Sequence, residues 1–121
     1  MSLLIVDDHA AFRAFISQML SAEGFEVAGE VPDGESAVAA VRDLRPDAVL
    51  LDIQLPGIDG FEVARRIAMI ERGPRVVLTS MRAASDYGRR ITDSPVKGFL
   101  PKQQLSGAAL AALLASPGPC V

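Results

Sequence analysis

The chain has no tryptophan, one tyrosine, one histidine and one cysteine in 121 residues. So few aromatics leave little to stack on a flavin ring or on nucleic-acid bases. The lone Cys120 excludes an internal disulfide and is compatible with a cytoplasmic setting. It lies in a Pro/Gly-rich stretch and reads as an incidental thiol. An excess of positive charge is also missing. Twelve Lys+Arg against 15 Asp+Glu give a net charge of −3, without the footprint of a nucleic-acid binder. Apolar runs are only strand-sized, and Asp7 interrupts the N-terminus too early for a secretory signal. Neither a membrane span nor a leader is expected. Lysine is scarce as well: Lys97 and Lys102 stand against ten arginines.

What the chain does have is alternation. Half its residues are hydrophobic and 22% are charged, ordinary for one globular domain with one core. Leu3–Val6 is a continuous apolar run, as in a strand buried on both faces. Phe12, Phe15, Ile16, Met19 and Leu20 then follow the i, i+3, i+4 spacing of a helix stripe, which Gly24 stops. Glu26–Val31 is a more polar strand, nearer an edge. Asp33-Gly34 opens a helix through Val38, Val41 and Leu44, which Pro46 ends. Asp47–Leu51 is a second buried strand. The turn Pro56-Gly57-Ile58-Asp59-Gly60 leads to a helix bearing Phe61, Ala64, Ile67 and Ala68 on one side, with Asp59 and Glu62 spaced as a capping box. After Gly73-Pro74 comes the apolar strand Arg75–Thr79, then a weak helix over Ser85–Thr92 that contains Gly88. Gly98–Leu100 is a short last strand. Ser106 caps a final helix with Leu110, Leu113 and Leu114, and residues 116–121 are expected to form a flexible tail. Five βα units with short connections predict one α/β domain over residues 1–121. Its expected form is an open, doubly wound, flavodoxin-like parallel sheet of order 2-1-3-4-5.

In such a sheet ligands bind outside the carboxyl ends of the strands. Strand 1 delivers Asp7 and Asp8 to that edge, strand 3 Asp52, strand 4 Thr79 and Ser80, and strand 5 Pro101 and Lys102. Adjacent carboxylates are costly: at about 5 Å and an effective dielectric near 20, each like-charge pair costs roughly 3 kcal/mol. Oxygen-only ligands of this kind suit Mg²⁺ or Ca²⁺ rather than zinc. Singly, each residue has an ordinary reading: Asp8 a helix cap, Asp52 a turn residue, Thr79 a strand-end hydroxyl, Lys102 a solvated side chain. Jointly they describe a polar pocket for phosphoryl chemistry. A metal and a lysine balance charge there, and a carboxylate is the nucleophile.

Four stretches carry a resemblance: Leu4-Ile5-Val6-Asp7-Asp8-His9, the run from Leu50 through Asp52 to Gly60, Val76-Val77-Leu78-Thr79-Ser80, and Gly98-Phe99-Leu100-Pro101-Lys102. On these the chain resembles the receiver domain of a bacterial two-component response regulator, over nearly its whole length. The resemblance implies a cytoplasmic phosphoacceptor switch rather than an enzyme acting on external substrates. Asp52 would accept a phosphoryl group from a sensor histidine kinase. Asp8, Asp52 and the Gln54 backbone carbonyl would bind Mg²⁺, and Asp7 would act mainly through metal-bound water. Thr79 and Lys102 would bond phosphoryl oxygens, and Phe99 would be the switch aromatic. The expected output surface is the face of helix 4, strand 5 and helix 5, open to a partner or a second copy. In the family a proline often follows the lysine through a cis bond; here Pro101 precedes it and Gln103 follows.

Two rival readings share this fold. Aspartate-nucleophile phosphatases resemble a pattern with a second aspartate two residues after the first; Gln54 stands there instead. An interaction module that has lost phosphorylation is the other. His9 reads as a partly exposed first-turn residue, Arg89-Arg90 as a solvated face, and Met81 and Gln54 as residues positioned to shield the phosphoryl group.

Overall fold

The computed structural model describes residues 1–115; the tail expected over 116–121, with Cys120, lies outside the described residues. Five strands, β1 (Ser2–Val6), β2 (Glu26–Val31), β3 (Ala48–Asp52), β4 (Arg75–Ser80) and β5 (Gly98–Pro101), form one sheet. Its order is β2-β1-β3-β4-β5 and every pairing is parallel. The helices are α1 (Ala10–Ala22), α2 (Gly34–Leu44), α3 (Gly60–Ala68), α4 (Arg89–Thr92) and α5 (Gly107–Ala115). The doubly wound expectation holds, because a buried parallel strand needs cover on both faces.

Alternation along the strands divides the core in two. Leu4, Val6, Val49, Leu51, Val76 and Leu78 pack under α2 and α3. Leu3, Ile5, Ala48, Leu50 and Val77 pack with Ile16, Leu20, Leu110 and Leu114 of α1 and α5. β2 is an edge strand, as its polar sequence suggests, and its exposure alternates. No helix among the described residues is long and apolar enough to cross a membrane.

Three local expectations need correction. Phe15 belongs to the predicted stripe of α1 but is 62% exposed. The Ile16–Leu20 line faces the sheet, and Phe15 falls on the outer side. The helix expected over Ser85–Thr92 is only the single turn Arg89–Thr92, preceded by a 3-10 turn at Ala84–Asp86. Gly88 separates them at φ +58°, a conformation that breaks a right-handed helix. At α3 only half of the capping box forms. Asp59 accepts the Glu62 N–H at 2.9 Å, while the Glu62 carboxylate turns to Arg65 and Arg66.

Candidate functional site

The carboxyl ends of β1, β3, β4 and β5 meet around Lys102. The Asp7 N–H continues the β1 ladder to the Val31 carbonyl. Its side chain, 1% exposed, then turns back to accept the His9 N–H at 2.8 Å, which launches α1. β3 ends on Asp52, 2% exposed, whose Oδ1 accepts the Gln54 N–H at 3.0 Å. The register pairs Asp52 with Thr79. After β5, the 3-10 turn Lys102–Gln104 sends the lysine inward, 8% exposed. Its Nζ lies 2.7 Å from Asp7 Oδ2 and 3.0 Å from Asp52 Oδ2. One ammonium therefore bridges two buried carboxylates that would otherwise repel each other.

Burial pushes the Asp52 carboxyl above its usual range, only partly offset by the hydrogen bond and charge of Lys102. Burial alone would lower the Lys102 ammonium, but its close pairing with the accepting carboxylates of Asp7 and Asp52, and their charges, outweigh it and raise it. Lys102 is thus a fixed cation at neutral pH.

Asp8 differs from its neighbour. It is exposed, it does not cap α1, and its Oδ1 faces the His9 Nδ1 at 3.2 Å. One oxygen each of Asp7, Asp8 and Asp52, with a His9 ring nitrogen, lie within 4.8 Å of one another. Asp7 Oδ2 is buried and makes no hydrogen bond of good geometry, only its ion pair with Lys102. Three carboxylates against one ammonium leave negative charge uncompensated, and an oxygen-seeking divalent cation fits that donor set. His9 is exposed, as expected, but it occupies the N-cap position of α1, without a side-chain capping bond, and its ring nitrogen stands with the acidic group.

Thr79 is buried and its Oγ1 donates to the Leu100 carbonyl at 2.6 Å, across the β4–β5 pair. Phe99 is half-buried on the opposite face of β5, against Tyr87. Gln54 and Met81 are exposed beside the pocket. No peptide bond among the described residues is cis, so the Lys102–Gln103 bond is trans. Gln103 instead reaches back, its Nε2 donating to the Met81 carbonyl at 3.3 Å.

Two neighbours of the site, and one contact away from it, were not legible in the sequence. The Phe12 ring lies 4.5 Å from Lys102 Nζ, a cation–π contact that only the packing of α1 creates. Arg13 donates to the Asp7 carbonyl and pairs with Glu30, fixing the β1–α1 turn. Glu23, at the end of α1, accepts the Gly107 N–H at 2.9 Å and ties α5 to α1. None carries a spacing signal: the Arg13 bond to the Asp7 carbonyl depends on how the β1–α1 turn closes, and the other contacts span elements distant in sequence.

Comparison with known proteins agrees with this geometry. The response regulator receiver domain family matches residues 3–114. The chain is 29% identical over 116 residues to the DNA-binding transcriptional activator EvgA of Escherichia coli K12, covering 96% of this chain and 57% of that protein. It is 32% identical over 113 residues to the response regulator GacA of Pseudomonas viridiflava, covering 93% of this chain and 51% of that one. The chain thus spans about half the length of the curated relatives it matches. Among solved structures, the receiver domain of the response regulator NarL from Mycobacterium tuberculosis superposes with a TM-score of 0.84 at 30% identity, over 95% of this chain and 97% of that one. CheY from Borrelia burgdorferi, solved with CheX, BeF3 and magnesium, matches with a TM-score of 0.81 at 27% identity, over 93% and 85%. The fold, the strand-end residues and the family match agree: the chain belongs to the response regulator receiver domain family.

Proposed function

We propose that the chain is a phosphoryl-accepting switch in which Asp52 is the acceptor and a sensor histidine kinase the donor. The observation that carries this is the ion pair of buried Asp52 with Lys102 beside Asp7 and Asp8. Asp8, Asp52 and the Gln54 carbonyl would hold Mg²⁺, with Asp7 acting through its water; when bound, the ion draws charge from the phosphoryl oxygens. An Asp52 oxygen attacks phosphorus, and the bond to the donor imidazole breaks. Lys102 stays as the fixed cation and shifts one hydrogen bond to a phosphoryl oxygen. Thr79 leaves the Leu100 carbonyl and donates to another. Gln54, two residues after Asp52, carries no acid or base for rapid turnover, which favours a switch over a phosphatase. The change is relayed to the α4–β5–α5 surface, where an output partner or a second copy docks.

Incubation with a small phosphodonor and Mg²⁺, followed by intact-mass measurement, tests the reading. One labile phosphoryl adduct per chain is expected. Catalytic release of phosphate without an adduct would point to a phosphatase, and absence of any reaction to an inert interaction module.

Asp8 supplies a separate test of the metal. Its side chain caps nothing, so Asp8→Asn should leave the metal-free protein equally or more stable in chelator. The thermal shift produced by Mg²⁺ in the parent should shrink or vanish in the variant, because ligand stabilisation follows the dissociation constant. A variant clearly destabilised without metal would give Asp8 a structural role instead.

A further inference from the structure

Thr79 and Ser80 are adjacent hydroxyls on β4, and the pleat sends them to opposite faces. Val77 shares a face with Thr79 and packs with α1 and α5. Leu78 shares the other core with Phe61, Tyr87 and Phe99. Ser80 follows that second parity. It is fully buried, and its Oγ lies 2.6 Å from the Tyr87 hydroxyl while accepting the Arg82 N–H at 3.0 Å.

Tyr87 immediately precedes Gly88 and α4, and it is wedged between two rings. Its centroid lies 5.7 Å from Phe61 in an edge-to-face contact and 6.1 Å from Phe99 in a tilted one. Besides Tyr87, the segment is held by Ile91, half-buried against the same core, and by the Arg90 guanidinium, 4.2 Å from the centroid of the buried Phe61 ring. From Met81 to Pro95 no residue is buried, and only Tyr87, Ile91 and Ser94 are half-buried. The Arg90–Asp59 ion pair lies on the surface and contributes little. Among the described residues, the Ser80–Tyr87 bond is the one side-chain hydrogen bond from residues 84–94 that reaches a buried group.

We propose that Tyr87 is a positioning residue that holds α4 against the sheet through the Ser80 hydroxyl, and that rupture of this bond is the step that frees the α4 face. The release step rests on the phosphoacceptor reading above. When Thr79 gives up the Leu100 carbonyl, the end of β4 moves. Ser80 shares a peptide with Thr79, so its hydroxyl moves with it. Tyr87 also stands against Phe99, so that ring changes position only once Tyr87 has yielded.

The chain reports on this directly, because Tyr87 is its only tyrosine and it has no tryptophan. The experiment compares parent, Tyr87→Phe and Ser80→Ala, each free and with Mg²⁺ and beryllofluoride, by backbone amide exchange. Parent and Ser80→Ala are also followed by tyrosine fluorescence, and bound fluoride is read separately by fluorine NMR. Tyr87→Phe keeps the ring and its packing, so the fold survives; thermal unfolding checks this. In the free protein both variants should raise exchange of amides 84–94 about threefold to tenfold, the range a single net hydrogen bond supplies. The double variant should add little to either single one. Beryllofluoride should raise exchange in the parent to the level of the variants, change Tyr87 emission, and barely affect the variants. Unchanged exchange in free Tyr87→Phe, or variants that respond as fully as the parent, would overturn the assignment. If no fluoride binds, the phosphoacceptor reading and the release step both fall. The free-protein comparison still decides whether Tyr87 holds α4.

Discussion

Replacing Asp52 by Asn should abolish phosphoryl incorporation from a small phosphodonor in Mg²⁺, leaving no adduct by intact mass. The amide keeps the shape of the side chain but removes its nucleophilic oxygen charge. No other carboxylate substitutes. Asp7 Oδ1 is committed to the His9 N–H and Oδ2 to Lys102, and Asp8 is the exposed, metal-facing member of the set. The same variant should also be at least as stable as the parent in chelator. The sign follows from burial. The folded carboxyl lies above its ordinary value. Its stabilising contribution is therefore full below the unfolded pKa of 3.8 and is lost as pH rises through the folded pKa. By neutral pH the ionised group is a net cost, and Asn removes it while Lys102 retains Asp7. Chemical denaturation of both proteins in chelator from pH 4 to 7 should show a flatter profile for Asp52→Asn. An adduct at the parent level would sink the acceptor assignment, and a marked loss of stability would show that the Asp52–Lys102 pair holds the fold.

Gly60→Ala should be the most damaging single methyl addition near the site. On an exposed helix the change would gain up to about 1 kcal/mol. Gly60 is instead the first residue of α3, pressed onto the end of β3. A Cβ there would lie 2.6 Å from the Asp52 carbonyl oxygen and 2.6 Å from the Ile53 Cα, both backbone atoms. The Gly60 N–H also donates to the Ile53 carbonyl at 2.8 Å, so the two segments are joined at the point of collision. Relief requires moving the loop that carries Asp52 and Gln54. The expected loss is about 1–3 kcal/mol, in the range of overpacked cores, with weaker Mg²⁺ stabilisation in whatever remains folded. Urea denaturation with and without Mg²⁺ reads both. A neutral or stabilising result would mean that α3 moves away from β3 at little cost.

The site was more legible than the elements that respond to it. Asp7, Asp8, Asp52, Thr79 and Lys102 stand at strand ends marked by apolar runs, and a parallel sheet gathers all its carboxyl ends at one edge. The Ile16–Leu20 face of α1 was readable for the same reason, from periodicity. Phe15 has the same spacing and hydrophobicity as its neighbours. Only the angle at which α1 lies on β1 and β2 leaves it outside. Ser85–Thr92 was legible as weak, from Gly88 and its polar residues. That it shrinks to a single turn was not, because Tyr87 is held by Ser80 and two rings from other elements.

The amino-acid sequence by itself determined the α/β class, five βα units for which the doubly wound order 2-1-3-4-5 is the natural solution, and the acidic set of strand-end residues with its one lysine. These are one-dimensional properties: alternation of period and residue type at element ends. The tertiary structure alone decided which oxygens Lys102 bridges, that Asp8 is exposed while Asp7 is buried, and that Thr79 meets the Leu100 carbonyl while Ser80 meets the Tyr87 hydroxyl. Each of those depends on side chains brought within about 3 Å from segments far apart along the chain, at distances where charge and hydrogen-bond energies change steeply, and only the packed sheet and helices set such distances.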